Sequence, residues 1–327
     1  MIFFFNFSYT VVSFSFSICT SLPFFIFFLL LCFFCFNFSS LKINTQKDYV
    51  NNLRKACDTK VDGNLQLGNI RLKNIRHRHL SIAYENWQEK GIRSANYIAT
   101  CVSIVLNYAI RHEAILHNPM SLVKKSKPKQ RKVMWKNEEI KLFLDTAYSD
   151  FKWRSIGLIF HMAYEWAQRV GDMRTLTCDA IDFQNKRLDY EQSKRGSEVH
   201  LPIRKGILKM LVKQKETFDF YYDDGSRQEY VAPRVKPKNN FYSHYTLNEI
   251  HKLINEVKEE ANLPQELQVR DLRRTAIVEM VEEGVDLVNI MQVSGHQSVQ
   301  SVRPYLVNTF SGASNALERR FKNDDEY

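Results

Sequence analysis

Two arginines, a histidine and a tyrosine near the C-terminal end of the chain are side chains suited to holding a phosphate group. Arg270 and Arg273 stand three residues apart at the start of a predicted helix, so they are expected to share one face. A helix N-terminus attracts anions, and two guanidinium groups placed there form a phosphate clamp. His296 follows Gly295, a predicted helix end, and Tyr305 lies nine residues further on. Taken alone, such an arginine pair is more often a surface pair, and a lone tyrosine is more often packed in the core. The functional interpretation therefore depends on the order in which these residues follow one another.

These residues belong to a longer series of motifs. Arg169 is followed by the acidic Asp172 three positions later, by leucine at seven, and by Ile-Asp at twelve and thirteen. The series continues with Ser-Lys194-Arg-Gly in a predicted β-hairpin, then Arg270-Asp-Leu-Arg273, Ser-Gly-His296 and Tyr305. In this order and at these spacings, the motifs resemble those of the tyrosine recombinase (phage integrase) family over about residues 45–325.

The resemblance implies an enzyme that breaks and rejoins DNA without a metal ion or other cofactor. Tyr305 would attack the scissile phosphodiester, giving a 3′-phosphotyrosine and a free 5′-hydroxyl, and a 5′-hydroxyl from a partner duplex would reverse the step. Arg169 and Arg273 would neutralise the transition-state oxygens, as metal ions do in other phosphoryl-transfer enzymes. The sequence agrees, because it has no carboxylate cluster and no paired CxxC motifs to hold a metal.

The resemblance also implies roles for the other members of the series. Lys194 would protonate the leaving 5′-oxygen, His296 would donate a hydrogen bond to a non-bridging oxygen, and Asp172 would orient an arginine. Arg270 departs from the family, which most often has histidine there. Arginine cannot act as a base near neutral pH, because its guanidinium group stays protonated. Either Tyr305 loses its proton to water or His296, or the enzyme is slow, or this copy is inactive. We expect activity, because the other five positions are intact.

Positive charge is concentrated in one segment. The chain has a net charge of +10, and residues 42–132 alone hold 18 Lys and Arg against 6 Asp and Glu. Such a local field favours a polyanionic partner, and phosphate contacts would be salt-sensitive without specifying base sequence. DNA contacts are expected from Arg71, Lys73, Arg76 and Arg78, and from Lys124, Lys125, Lys127, Lys129, Arg131 and Lys132.

The first 41 residues differ in composition from the rest. They contain no charged residue and hold 14 of the 23 phenylalanines. The apolar run 22–36 with its flanks is long enough for one membrane helix. No basic n-region or small-residue cleavage site marks a signal peptide. Because T-rich DNA encodes such an excess of Phe and Ser, we expect a start-site artefact or a degraded N-terminus rather than a membrane anchor.

Composition and patterning predict a mainly α fold with a small β-sheet. Gly and Pro are few, helical patterns cover most of residues 42–327, and two short strands flank the Ser-Lys-Arg-Gly turn. With the resemblance, this indicates a helical, SAM-like core-binding domain over 42–123 and a basic linker over 124–132. An α+β tyrosine recombinase catalytic domain with a C-terminal tail is expected over 133–327.

The resemblance implies double-stranded DNA recombination sites as partners. It also implies a homotetramer on DNA, with residues 312–327 reaching a neighbouring subunit, and accessory DNA-bending or excision factors. A phage or prophage integrase acting in the cytoplasm of the host cell is the first interpretation. The alternatives are a transposon or chromosome-dimer-resolving recombinase, a catalytically disabled DNA-binding relative, and a membrane-anchored protein.

Overall fold

The computed structural model describes residues 40–129, 131–194, 196–219, 229–236, 242–306 and 310–321. The chain divides into two compact units, residues 1–130 and 131–327. Residues 1–39 lie outside the described part of the chain, so the expectation for the hydrophobic segment stays a prediction. Within the described ranges, no helix is long and apolar enough to cross a membrane.

The first unit is built around three helices, α1 (Ile43–Cys57), α2 (His77–Glu89) and α3 (Ile92–Arg111). Predicted at 48–57, 75–88 and 94–116, they are confirmed within about five residues at each end. Two short strands, β1 (Lys60–Asp62) and β2 (Leu65–Gln66), form an antiparallel hairpin. This hairpin was not predicted, because strands of two or three residues are too short to show an alternating pattern.

Side chains of α2 and α3 hold the start of the basic linker. The Tyr84 hydroxyl donates to Oδ1 of Asn96 (2.6 Å) and accepts from the amide of Ser126 (2.8 Å). Gln88 donates to the Ser126 hydroxyl (2.6 Å), and Asn96 donates to its carbonyl oxygen (2.9 Å). Because Tyr84 is itself buried in the helical core, the chain at Ser126 is fixed to the first unit.

The second unit is mainly helical with one small sheet. Its helices are α4 (Asn137–Ser149), α5 (Phe151–Glu165), α6 (Val170–Met173), α7 (Lys205–Asp219), α8 (Leu247–Glu260), α9 (Leu272–Glu282), α10 (Leu287–Ser294), α11 (Val299–Val302) and α12 (Phe310–Arg320). The strands β3 (Ile181–Asp182), β4 (Arg187–Glu191) and β5 (Glu198–Pro202) form an antiparallel sheet in the order β3-β4-β5. The predicted mainly α fold with a small sheet is confirmed. The elements that were not predicted, α6, α11 and β3, are two to four residues long.

Helix α5 lies in the core of the second unit. It begins after Asp150, whose carboxylate accepts a hydrogen bond from the amide of Lys152 (2.8 Å). Phe160 stacks on Phe143 of α4, with ring centroids 4.0 Å apart, and meets Trp135 edge-on at 4.9 Å. The aromatic packing and the run of buried residues from 155 to 160 fix α5 in place. The arginine motif that follows α5 therefore starts from a rigid support.

Candidate active site

The end of α10 meets the base of the β4–β5 hairpin. Helix α10 ends at Gly295, as predicted, with a φ of 67° in the left-handed region that glycine adopts without strain. A Cβ atom at this position would lie 2.4 Å from Nε2 of Gln192, at the hairpin base. Glycine is therefore required both by the turn and by the close approach of Gln192.

Arg273 extends from α9 into this junction as a buried cation. The residue is 8% exposed, and its Nη2 donates to the carbonyl oxygen of Ser294 (2.8 Å). Within the described part of the chain, its buried Nη1 has no hydrogen-bond partner. Burial, followed by the nearby charge of Arg169, lowers the pKa of Arg273 to about 10. A buried guanidinium with an unfilled donor is suited to receive an anion.

Arg169 lies at the N-cap of α6 and reaches the same junction. Its Nη1 donates to Oε1 of Gln192 (2.7 Å) and lies 3.7 Å from Oδ2 of Asp172. Asp172 is 5% exposed and accepts hydrogen bonds from the amide (3.3 Å) and the hydroxyl of Ser193. Asp172 thus connects Arg169 to the hairpin, a contact expected of a residue that orients an arginine.

The hydrogen bonds around His296 indicate which ring nitrogen carries its proton. The hydroxyl of Ser294 donates to the carbonyl of Ile290 (2.6 Å), which leaves its oxygen as an acceptor for Nδ1 of His296 at 2.7 Å. Nη2 of Arg273 lies 3.2 Å from Nε2 and 3.4 Å from Nδ1, so it faces the imidazole ring and not one nitrogen. The network therefore places Nδ1 as the donor to Ser294 and the ring against the buried arginine.

Tyr305 lies in a 3₁₀ turn (Arg303–Tyr305) beside His296, with ring centroids 5.6 Å apart. Its half-buried ring packs against a small apolar cluster of Ala167, Ala276, Ile277, Ile290 and Val302. The guanidinium carbon of Arg274 lies 5.9 Å from the centre of the ring. Burial lowers the pKa of Arg273, and a charge on the Tyr305 oxygen opposes part of that lowering, so the two groups lie near each other. The structure therefore brings Tyr305, His296 and Arg273 into one site, together with Arg169.

Two residues predicted for the site are exposed. Lys194 is exposed in the turn between β4 and β5, where Gly196 adopts a φ of 64°. Arg270 is exposed in the 3₁₀ turn (Val269–Asp271) that precedes α9, whereas Arg273 is buried within α9. The expectation that these arginines share one helix face stays a prediction, since the 3₁₀ turn of Arg270 runs directly into α9. The two differ in exposure, because Arg270 is open to solvent.

Most of the predicted DNA-contacting residues are exposed. These are Arg71, Lys73, Arg76 and Arg78 of the first unit, and Lys124, Lys125, Lys127, Lys129 and Lys132 of the linker. Arg78 pairs with Asp62 at the surface (2.7 Å). Arg131 differs from the others, because it bonds Asp271 through Nε (3.0 Å) and Nη2 (2.8 Å) and also donates to the carbonyl of Glu266. We therefore no longer expect Arg131 to contact DNA.

Sequence reasoning missed the amides and hydroxyls between the charged groups. They are Gln168, Gln192, Ser193 and Ser294, together with Tyr190 and Arg274. Gln168 and Gln192 are each 1% exposed. In the sequence, only the position of the two glutamines beside predicted site residues could have indicated a role. Gln168 precedes Arg169, and Gln192 lies two residues before Lys194. Polar side chains are seldom so buried unless they are hydrogen-bonded.

Comparison with known proteins identifies the family. The model of the phage integrase family matches residues 134–311, more than half of the chain. The chain belongs to the phage integrase family. As a member, it is a site-specific DNA recombinase, an enzyme that breaks and rejoins DNA strands. The motif resemblance found in the sequence is thereby confirmed.

Relatives of this integrase match most of its length. ICEBs1 integrase of Bacillus subtilis (strain 168) is 23% identical over 301 residues, covering 80% of this chain and 74% of that protein. Tyrosine recombinase XerC of Oceanobacillus iheyensis is 24% identical over 277 residues, covering 80% and 84%. Tn1549 transposon integrase in complex with transposon right end DNA has a TM-score of 0.70 at 15% identity, covering 91% of this chain and 99% of that one. A lambda integrase tetramer bound to a Holliday junction has a TM-score of 0.68 at 17% identity, covering 88% and 79%. The fold is therefore shared with both solved integrases.

Proposed function

We propose that this recombinase is the integrase of a phage or prophage and joins the element's attachment site to a host chromosome. The observation that supports a cutting and rejoining site most directly is the convergence of four side chains on one junction. Arg169, Arg273, His296 and Tyr305 surround it, and the buried arginine has a donor left for an anion. A phosphodiester supplies the negative charge that this arrangement lacks.

The reaction is a transfer of the phosphoryl group between oxygen atoms. The phenol oxygen of Tyr305 forms a bond to phosphorus while the bond to the 5′-oxygen breaks, which leaves the DNA 3′ end joined to the enzyme. A 5′-hydroxyl from a second duplex reverses the step and releases Tyr305, so no external energy source is needed. Arg169 and Arg273 bind the non-bridging oxygens, whose charge they neutralise in the transition state.

His296 is proposed to receive the proton of Tyr305. Arg270 is permanently cationic and cannot take it, whereas a His296 imidazole that donates from Nδ1 to Ser294 keeps Nε2 unprotonated. The two rings lie 5.6 Å apart between centroids. Once protonated, the imidazolium becomes a donor to a non-bridging oxygen. One residue thereby serves as base first and as hydrogen-bond donor afterwards.

Lys194 is proposed to protonate the leaving 5′-oxygen. We expect Lys194→Ala to slow single-turnover cleavage about 10²–10⁴-fold, the range for loss of a general acid, with little change in DNA affinity. A duplex with sulfur as the 5′-bridging atom should restore the rate, because a thiolate leaves without a proton. Lys209→Ala, which removes an exposed lysine of α7, should cleave both duplexes like the wild type. A defect of equal size on the sulfur duplex would exclude the acid role.

The linker lysines are proposed to contact DNA phosphates between a DNA-binding domain (42–123) and the catalytic domain (133–327). The first variant replaces Lys124, Lys125, Lys127 and Lys129 by Gln. We expect the slope of log K against log[salt] to become shallower by up to about 4, since each phosphate contact contributes about 0.9. The charge-matched control replaces Lys141, Lys205, Lys209 and Lys213, which are exposed on α4 and α7. An equal change in both variants would show that only net charge matters.

A tetramer is the proposed active assembly. Rejoining requires two duplexes with two cuts each, and lambda integrase with a comparable fold has been solved as a tetramer bound to a Holliday junction. Because the substrate is chromosomal DNA, we propose that the enzyme acts in the cytoplasm of its host. Residues 312–327 are proposed to reach a neighbouring subunit, and accessory DNA-bending or excision factors are proposed to assist.

Covalent trapping tests the proposed function. The full chain is incubated, without added metal, with a nicked duplex carrying the recombination site found in the DNA flanking its gene. Cleavage near the nick releases a short fragment, so the enzyme remains joined to DNA. We expect an SDS-resistant adduct, with the modified peptide containing Tyr305 by mass spectrometry. Salt-sensitive binding without any adduct would instead favour a disabled DNA-binding relative, for which the exposed Arg270 is the structural reason.

A further inference from the structure

Gln192 is a buried amide whose orientation is fixed by its neighbours. Its Oε1 accepts from Nη1 of Arg169 (2.7 Å), a group that can only donate. Its Nε2 donates to Oε1 of Gln168 (2.6 Å) and to the carbonyl oxygen of Ser294 (3.0 Å). Reversing the amide would place NH₂ against the arginine and oxygen against two acceptors. Only one of the two orientations therefore satisfies the network.

A second buried amide holds Gln192 in place. Gln168 accepts from the hydroxyl of Tyr190 (2.7 Å) at the same oxygen that Gln192 uses. Its Nε2 donates to the carbonyl oxygens of Trp166 (2.7 Å) and Val293 (2.6 Å). The pair thus ties together the end of α5, strand β4 and the end of α10. Within a water-poor interior, such a fully satisfied network is rigid.

The network connects the two arginines of the site through one side chain. Gln192 accepts from Arg169, and it donates to the Ser294 carbonyl that also accepts from Arg273 (2.8 Å). Burial and, after it, the charge of Arg169 lower the pKa of Arg273, so the two guanidinium groups repel each other. Gly295 leaves the space that Gln192 occupies. The neutral amide of Gln192 therefore sets the distance between the two guanidinium groups. Its oxygen accepts from Arg169, and its nitrogen donates to the carbonyl that Arg273 also uses.

We propose that Gln192 is a positioning residue that holds Arg169 and Arg273 at the spacing required by a single phosphate group. The proposal rests on the proposed function, since it assigns both arginines to one phosphodiester. Gln192 acts through the arginines and does not touch the DNA. Both ends of its amide are needed, because the oxygen orients Arg169 and the nitrogen fixes the acceptor of Arg273.

The test compares two substitutions of Gln192 in single-turnover cleavage of the nicked duplex. Gln192→Met keeps the volume but loses the hydrogen bonds, and we expect cleavage to slow about 100-fold, the effect of a displacement of about 1 Å. DNA affinity should change less than about threefold. In Gln192→Glu, one carboxylate oxygen still accepts from Arg169, but the other takes the place of Nε2 and lies against the carbonyl oxygens of Gln168 and Ser294. Its rate relative to the wild type should rise as the pH falls from about 8 to 6, because a protonated carboxyl can donate to one of them.

Gln214 provides a matched control for the loss of a buried glutamine. It is 2% exposed and donates to the hydroxyl of Ser155 (2.7 Å) at the α5–α7 contact. We expect Gln214→Met to cleave at the wild-type rate, because its side chain bonds Ser155 and none of the site residues. The proposal is overturned if Gln192→Met also cleaves at the wild-type rate, or if Gln192→Glu has the pH profile of Gln192→Met.

A measurement without DNA separates this inference from the proposed function. In the full chain labelled with ¹⁵N-arginine, the side-chain N–H signals of Arg169 and Arg273 should shift in Gln192→Met and stay in place in Gln214→Met. If the wild type forms no adduct, the proposed function fails, and these signals still report whether Gln192 holds both arginines. Unchanged arginine signals in Gln192→Met would overturn the positioning role.

Discussion

Replacing Tyr305 by phenylalanine is expected to abolish the covalent adduct while DNA binding persists. The substitution removes one oxygen atom, the proposed nucleophile, and leaves a ring that fills the same apolar cluster of α9 and α10. Because no other hydroxyl is assigned to the attack, cleavage should fall at least about 10⁴-fold, below detection in a gel assay. The affinity for the duplex should stay within about twofold, as measured by fluorescence anisotropy.

Tyr164→Phe is the matched control for this loss. Tyr164 packs against the same apolar cluster as Tyr305, and its hydroxyl donates to the carboxylate of Glu279 (2.9 Å). We expect this variant to form the adduct at the wild-type rate with a modest loss of stability. Adduct formation by Tyr305→Phe would mean that another residue is the nucleophile.

Replacing Arg273 by methionine is expected to inactivate the enzyme and stabilise the fold. Cleavage should fall about 10³-fold or more, because the proposed role of the arginine is to bind the oxygens that become more negative in the transition state. In the free protein, however, its charge is buried beside Arg169. Lowering the pKa of Arg273 to about 10 means that the charged side chain is less stable in the folded protein than in water. At neutral pH, where the group stays charged, this destabilises the fold by on the order of 3 kcal/mol. The free energy of unfolding should therefore rise by about 1–3 kcal/mol, measured by urea denaturation.

The carbonyl of Ser294 does not become unsatisfied in this variant, since Gln192 still donates to it. Arg204→Met is the contrasting control. Arg204 is exposed and bonds the buried carboxylate of Glu165 (2.9 Å), so its loss should lower stability and leave cleavage unchanged. A lower stability for Arg273→Met than for the wild type would contradict the view that the buried charge is held at a cost for catalysis.

The parts of the site that follow from local sequence could be predicted. The helix end at Gly295 was found because glycine adopts a positive φ without strain, and the hairpin was found from two alternating runs around a Ser-Lys-Arg-Gly turn. The family motifs gave the arginines, the lysine, the histidine and the tyrosine in order. These signals depend on neighbours in sequence or on fixed spacings, so a single chain is enough to detect them.

The contacts between distant segments could not be predicted. Arg131 was grouped with the linker lysines by its charge, but its partner Asp271 lies 140 positions along the chain. Gln192 meets Ser294, 102 positions away, and no pattern of residue types marks that approach. The different exposure of Arg270 and Arg273 was not expected either, since both were placed at the start of one helix. In each case, tertiary packing or an element boundary decided the environment of the side chain.

The hydrogen bonds of Ser193 have a kinetic consequence for the lysine that follows it. The backbone at Ser193 is anchored to the buried Asp172, one residue before Lys194. The backbone next to Lys194 is therefore held in place, and its ammonium group moves only within the reach of its own side chain. A tethered group confined in this way has an effective concentration far above that of any free proton donor. For the proposed acid role, the anchored hairpin base thus limits the entropy that Lys194 loses when it meets the departing strand.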